Sequence, residues 1–347
     1  MVSSSSSTLH SLSSEQLGAF YERIRLAPRH RCLPGPDLDA VHRSQERSLE
    51  LLGAIQRYAV AALPFEDLSL HYDLNHRVHL ATDYVFDKVV TRAAGRGGYC
   101  MELNGLLLAV LTSLGFRVRP VGGKVNESVS MDDHSVPREK LKYSGWSHMV
   151  LIVTLPADDD SGAEEARYLF DVGFGGGNPT GPLLLRHGAQ RVNIPGSDDG
   201  TGHPHVLRLV KEQVEENDMW VLERLVHRPY LPEEGEFRPF YAFTEMRFSN
   251  KDFEVMNHHV ATARSSFFTY SVMVVMSVLS DDGEQVVGDV VLFNDSLKKR
   301  MYGKVVAEKK LKSEAERVEA LEEWLGIKLT AVERLAISGL ASEIQPY

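Results

Sequence analysis

The order of periodicities along the 347 residues predicts an α+β protein. Helical spacing dominates up to residue 116, β-branched and aromatic runs fill residues 118–293, and a helical pattern returns near the C-terminus. Helices and strands are segregated along the chain rather than alternating, which favours α+β over βαβ units. At roughly 150 residues per domain the length suggests about two or three units, and no internal repeat is evident.

Residues 1–14 are serine-rich, and a disordered tip is expected there, with order starting at Ser14-Glu15. Leu17, Phe20, Tyr21 and Ile24 then follow helical spacing. Pro28, Pro34 and Pro36 break the chain, and a second helix is expected over 38–62 with Leu49, Leu52, Ile55 and Val60 on its apolar face. Residues 65–79 read as irregular and 81–91 as helix. The clearest helix follows Gly97-Gly98. Leu103, Leu106, Leu107, Val110, Leu111 and Leu114 share one face, and Gly115 stands where a left-handed residue stops a helix. Strands are expected over 118–121, 148–155, 168–172, 205–210, 219–226, 240–248, 271–279 and 286–293. Polar inserts over 124–140, 157–166 and 212–218 separate several of them. Residues 308–325 turn helical, with Leu311, Ala315, Val318 and Leu321 in phase.

Composition narrows the function. The formal charge is -10 and the pI about 5.8, with 43% hydrophobic and 25% charged residues. This is a globular composition with material for a core, and its acidity makes nucleic acid a poor partner. Two cysteines build no disulfide framework and no C-x-x-C metal or redox motif. The N-terminus lacks the pattern of a signal peptide, and no apolar run is long enough to span a membrane. A reduced, cytoplasmic protein without membrane contact is expected. His203-Pro204-His205 and His258-His259 have no convergent Cys, Asp or Glu spacing, so no metal is expected. Cys32, in a proline-rich loop, is expected to be incidental.

Arg96-Gly97-Gly98-Tyr99-Cys100 is the first chemical candidate. Two glycines let backbone approach a ligand, and unpaired N–H groups at a helix start favour a thiolate. This context leaves the nucleophile and the small buried hydrophobe evenly matched. A cysteine nucleophile needs a base and the base an orienter. His148 opens one expected strand and Asp171 ends the next. A hairpin closed symmetrically over Asp158-Asp159-Asp160 would pair residues summing to 319, placing His148 opposite Asp171 on one face. A surface His/Asp pair at a sheet margin is the equal alternative, and a one-residue slip would separate the two. Gly173, Gly175, Gly176, Gly177 and Gly181 then crowd a turn that can bring backbone amides to an anion, yet neither a Walker loop nor a Rossmann fingerprint is present.

Together these residues resemble the arylamine N-acetyltransferase family. The resemblance lies in Arg96-Gly97-Gly98-Tyr99-Cys100-x-Glu102-x-Asn104, Tyr21-x-Arg23-Ile24 and Pro64-Phe65-Glu66-Asp67-Leu68. It continues through His148, Asp171-x-Gly173-Phe174-Gly175 and Asp252-Phe253-Glu254-Val255-Met256-Asn257. It implies a helical N-terminal domain (15–116), a β-barrel middle domain (117–240) and an α/β C-terminal lid (241–347) around a papain-like Cys–His–Asp core. It further implies Cys100, His148 and Asp171 as catalytic triad, and Phe65 and Phe174 lining the substrate pocket. Gly173, Gly175 and Gly176 would face the cofactor, acetyl-CoA or another short acyl-CoA, used as co-substrate without metal. The family's acceptors are aromatic amines and hydrazines, a role in xenobiotic metabolism. The inserts at 124–140 and 157–166 depart from the compact pattern and bear on donor and acceptor preference.

Two other functions use the same residues: a cysteine hydrolase, amidase or transglutaminase-like enzyme, and a silent binding protein. Glu66 and Arg96, charged within apolar or glycine-rich motifs, suggest an ion pair under the cysteine loop, weighed against two separate solvated charges. The charges of 308–317 read as a solvated helix face.

Overall fold

A computed structural model of the chain describes residues 11–129, 136–158, 162–227 and 233–345. Helix α1 (Ser14–Arg23) starts on a capping box: Ser13 Oγ accepts the Gln16 N–H, and the Gln16 side chain accepts the Ser13 N–H. Leu12 is already buried and donates its N–H to Ser113 Oγ at 2.8 Å. Order therefore begins before residue 14, while residues 1–10 of the expected tip lie outside the described residues. The expected helix over 38–62 is two helices, α2 (Pro36–His42) and α3 (Gln45–Ala62). Ser44 starts the second by accepting the Arg47 N–H, a local cap that outcompetes continuation. The stretch expected to be irregular holds a two-residue strand, β1 (Phe65–Glu66). The next helix is one turn of α4 (Thr82–Phe86) running into a π-helical turn over Asp87–Thr91. Helix α5 (Cys100–Ser113) ends before Gly115, whose φ of 79° meets the stop signal.

Eight strands follow: β2 (Arg117–Val125), β3 (His148–Leu155), β4 (Ala166–Phe170), β5 (Leu183–Leu184), β6 (Gln190–Ile194), β7 (His205–Val214), β8 (Asn217–Val226) and β9 (Glu236–Arg247). They form one antiparallel sheet in the order β5-β4-β3-β2-β9-β8-β7-β6. The segment between β5 and β6 reaches back to β7, through the Gly188 N–H to the Leu209 carbonyl (2.8 Å) and the Leu209 N–H to the Ala189 carbonyl (2.9 Å). The sheet thus curls into a nearly closed barrel around Val150, Ile152, Leu169, Leu207, Leu222 and Phe243. The opposite face of β3, with Met149, Leu151 and Val153, packs on the helical core. That two-sided burial explains its unbroken apolar sequence. Residues 212–218 are the tip of the β7–β8 hairpin rather than an insert, with Glu215 and Glu216 at φ 49° and 65°. Two adjacent positive-φ residues suit a tight hairpin turn.

After α6 (Asn250–Thr262) come β10 (Met273–Leu279), β11 (Val286–Phe293), β12 (Ser296–Met301) and β13 (Lys304–Lys310), then α7 (Glu314–Leu325) and α8 (Ala331–Ala336). The second sheet has the order β1-β10-β11-β12-β13, so Phe65 and Glu66 of the helical region form its edge, opposite Val275 and Val274. The sequence reading missed β5, β6, β12 and β13. It also extended α7 backward over residues that β13 uses, where the Lys/Glu-rich pattern of an exposed edge strand imitates a solvated helix. Arg317, counted among the solvated charges, is fully buried against Tyr72, Asn294 and Ser342. The expected boundary at 240 falls inside β9.

Candidate active site

Cys100 is the first residue of α5 and is 5% exposed, its Sγ 3.6 Å from the Ser147 carbonyl. His148 begins β3, and its Nε2 lies 2.8 Å from Asp171 Oδ2. The β3–β4 register differs from the symmetric expectation. Ile152 opposes Leu169 and Leu151 opposes Phe170, so paired residues sum to 321 rather than 319. Asp171 lies just past the end of β4 and meets His148 diagonally. The shift is two residues, parity is preserved, and both side chains point to the barrel interior as Ile152 and Leu169 do.

Asp171 is fully buried and every neighbour of its carboxylate is a donor. Oδ2 also accepts the Tyr241 hydroxyl at 2.8 Å, and Oδ1 accepts Asn104 Nδ2 and the Gly173 N–H, each at 2.8 Å. Burial alone would push this acid up. The His148 charge and hydrogen bond, with those from Asn104 and Gly173, hold it below its ordinary value. For His148, burial opposes the charged form, but the Asp171 carboxylate and the hydrogen bonds to Asp171 and Cys100 override it and raise the imidazole to about 10. The two shifts run in opposite directions, each partner favouring the charged form of the other.

Phe174 and Tyr241 enclose the imidazole, with ring centroids 5.3 and 4.7 Å away. Phe65, nearly buried, lies 6.2 Å from the Phe268 ring, and Gly175 packs against it. The glycines divide. A Cβ on Gly173 would sit 2.6 Å from the Cys100 Cα, and one on Gly175 (φ 80°) 2.8 Å from the Phe65 ring. These two positions are glycine because neighbours pack onto them. Gly176 meets nothing within 4 Å.

Glu66 and Arg96 do meet. Arg96 Nε lies 2.9 Å from Glu66 Oε1, both side chains are buried, and Glu66 also accepts the N–H groups of Gly97 (3.2 Å) and Leu68 (2.7 Å). Burial opposes the Glu66 charge, and the Arg96 and Lys88 cations overcome it, lowering the acid to about 2. The sequence reading gave no role to Asn104, Tyr241, Gln56 or Lys88. Asn104 was findable, one turn after Cys100 on the same helix face. Tyr241 had no signal beyond strand alternation. Gln56 Nε2 donates to the Asp171 and Pro179 carbonyls, both at 3.0 Å, from a helix far away in sequence. Among the described residues no group of three or more His, Cys, Asp or Glu is placed to hold a metal ion, and no helix is long and apolar enough to cross a membrane. Residues 130–135 and 159–161 of the inserts lie outside the described residues.

Comparison with known proteins gives the class to which this fold and these buried groups belong. A family model described as N-acetyltransferase matches residues 48–334. The chain belongs to the arylamine N-acetyltransferase family. It is 32% identical over 309 residues to N-malonyltransferase FDB2 of Fusarium pseudograminearum, covering 86% of this chain and 84% of that protein. It is 32% identical over 232 residues to human arylamine N-acetyltransferase 1, covering 64% and 68%. Among solved structures, arylamine N-acetyltransferase from Mycobacterium marinum in complex with CoA superposes at TM-score 0.68 with 25% identity, covering 95% of this chain and all (100%) of that one. The protein is thus a transferase that uses an acyl-CoA and an amine acceptor.

Proposed function

We propose that Cys100, His148 and Asp171 move a short acyl group from acyl-CoA to the nitrogen of an arylamine or hydrazine in two half-reactions. The observation that carries this reading is the convergence of three distant segments. A helix-start cysteine, a strand-start histidine and a strand-end aspartate come together, with His148 Nε2 2.8 Å from Asp171 Oδ2 and the Cys100 Sγ 3.6 Å from the carbonyl of Ser147, the residue before His148. The Cys100 thiolate attacks the thioester carbonyl, forming a C–S bond. The thioester C–S bond breaks, and the His148 imidazolium gives its proton to the departing CoA sulfur. The amine then attacks the acyl-cysteine, His148 takes the proton from its nitrogen, and the Cys100 sulfur leaves as thiolate. Backbone N–H groups at the start of α5 would carry the oxyanion, each such donor worth about 3 kcal/mol. Asp171 keeps one ring nitrogen of His148 occupied so that the other serves the sulfur. Gly176 offers open backbone for the co-substrate, and Phe65 and Phe174 form apolar walls for an aromatic acceptor.

Acetyl and malonyl are the two donors this reading weighs. Relatives named N-malonyltransferase match more of this chain than the human acetyltransferase does, which supports malonyl as a second reading. Mixing the protein with acetyl-CoA and malonyl-CoA and measuring intact mass identifies the acyl group on Cys100. Subsequent transfer to an arylamine rather than to water separates transferase from hydrolase. Absence of an adduct with either donor, or intersecting double-reciprocal lines, overturns the proposal.

A further inference from the structure

We propose that Lys88 is a positioning residue for the nucleophile. Its ammonium offsets the Glu102 carboxylate beneath the start of α5, so that negative charge on Cys100 meets no uncompensated anion. This rests on the reading of Cys100 as nucleophile. Lys88 lies in the π-helical turn and is 3% exposed, with Nζ 2.6 Å from Glu102 Oε1 and 3.9 Å from Glu66 Oε1. Glu102 Oε2 accepts the N–H of Tyr99, the residue directly before Cys100, at 3.2 Å. A carboxylate in the first turn suits the helix dipole, and this one sits on the same turn as Cys100, bonded to the N–H of the residue before it.

Arg96 does not perform this task, because its guanidinium is directed to Glu66, Ser69 and Glu333. The other charged or titratable groups nearby are Asp67 and Asp73 below, the Tyr99 phenol on the same turn, and His148 and Asp171 across the sulfur. Burial raises the Glu102 carboxyl against the pull of Lys88, and Arg96 is shared among Glu66, Asp73 and Glu333, so losing Lys88 strips Glu102 of its own counter-charge.

The test is the rate of Cys100 alkylation by iodoacetamide between pH 5 and 9, read by intact mass, in wild type, K88M, E102Q and the double variant K88M/E102Q. Expected is a rate about tenfold lower at pH 7 in K88M, from one unscreened charge in a buried site. E102Q should be at least as fast as wild type, and the double variant should return to within about threefold of it. A purely structural role predicts otherwise, since the double variant also lacks the hydrogen bond and would stay as slow as K88M. That result, or an unchanged rate in folded K88M, overturns the proposal. If K88M does not fold, the double variant, which removes both charges of the pair, decides alone. Alkylation unaffected by His148→Ala would instead overturn the nucleophile reading.

Discussion

At residue Gly173 a single missing methyl group lets the loop after Asp171 lie on the first turn of α5. Gly173→Ala would place a Cβ 2.6 Å from the Cys100 Cα and 2.9 Å from Asn104 Nδ2. Overpacking of this kind costs about 1–3 kcal/mol, and the strain falls on the nucleophile. A lower Tm and slower acylation are expected, whereas Gly176→Ala, with nothing within 4 Å, should leave Tm unchanged. Thermal melts of the two variants check this. Glu66 makes a second residue-scale prediction. Its folded value of about 2 lies below the ordinary 4.5, so its contribution is fully present above about pH 4.5. That contribution, on the order of 3 kcal/mol, is lost as pH falls through 2. Arg96→Met should remove this dependence and destabilise the chain at neutral pH by leaving a buried carboxylate short of its partner. Urea unfolding at pH 3 and pH 7 reads both effects.

At the scale of elements, the site depends on how α5 is held against β3 and the end of β4. Asn104 does this with one side chain. Its Nδ2 donates to the Met149 carbonyl and to Asp171 Oδ1, both at 2.8 Å, and its Oδ1 accepts the Val172 N–H at 3.0 Å. Asn104→Leu keeps the volume and removes all three bonds. Since each buried orphan costs about 1–3 kcal/mol, the variant should melt lower and acylate more slowly, with Cys100 and His148 unchanged chemically. Unaltered acylation in a folded Asn104→Leu protein would show that α5 is placed by apolar packing alone.

For the whole molecule, the decisive contact is β1. Two residues between α3 and α4 form the edge of the C-terminal sheet. Tyr72 and His71 of the same region reach Arg317 and Ser342 near the chain's end. A lid domain over 241–347 is therefore proposed as a division of architecture and not of stability. Residues 250–347 expressed alone lack β1, Tyr72 and His71. They should show no cooperative melt and a collapsed near-UV spectrum, while the full chain unfolds in one transition. An independent sharp transition in the fragment would refute this.

What the sequence determined by itself is what local physics encodes. Leucines at helical spacing ending in Gly115 define α5 and put Cys100 at its start. Unbroken apolar runs define β3, and the parity of its pairing with β4 puts His148 and Asp171 on one face. The motif resemblance identified the family. The helix break at Ser44 was also local, though its cap was overshadowed by continuing apolar spacing. The tertiary structure alone decided the rest. β1 and β5 are two residues long and exist only because partner strands supply their hydrogen bonds. The register differs by two residues from the symmetric expectation, the β3–β4 ladder being in register with a bridge between Asp158 and Ala163. Gly173 and Gly175 became packing positions, and Arg317 went inside, because neighbours distant in sequence occupy the space around them. Period and capping act over a few residues and can be read from order. Close approach, charge pairing and strand partners act through space, and only the folded chain sets those distances.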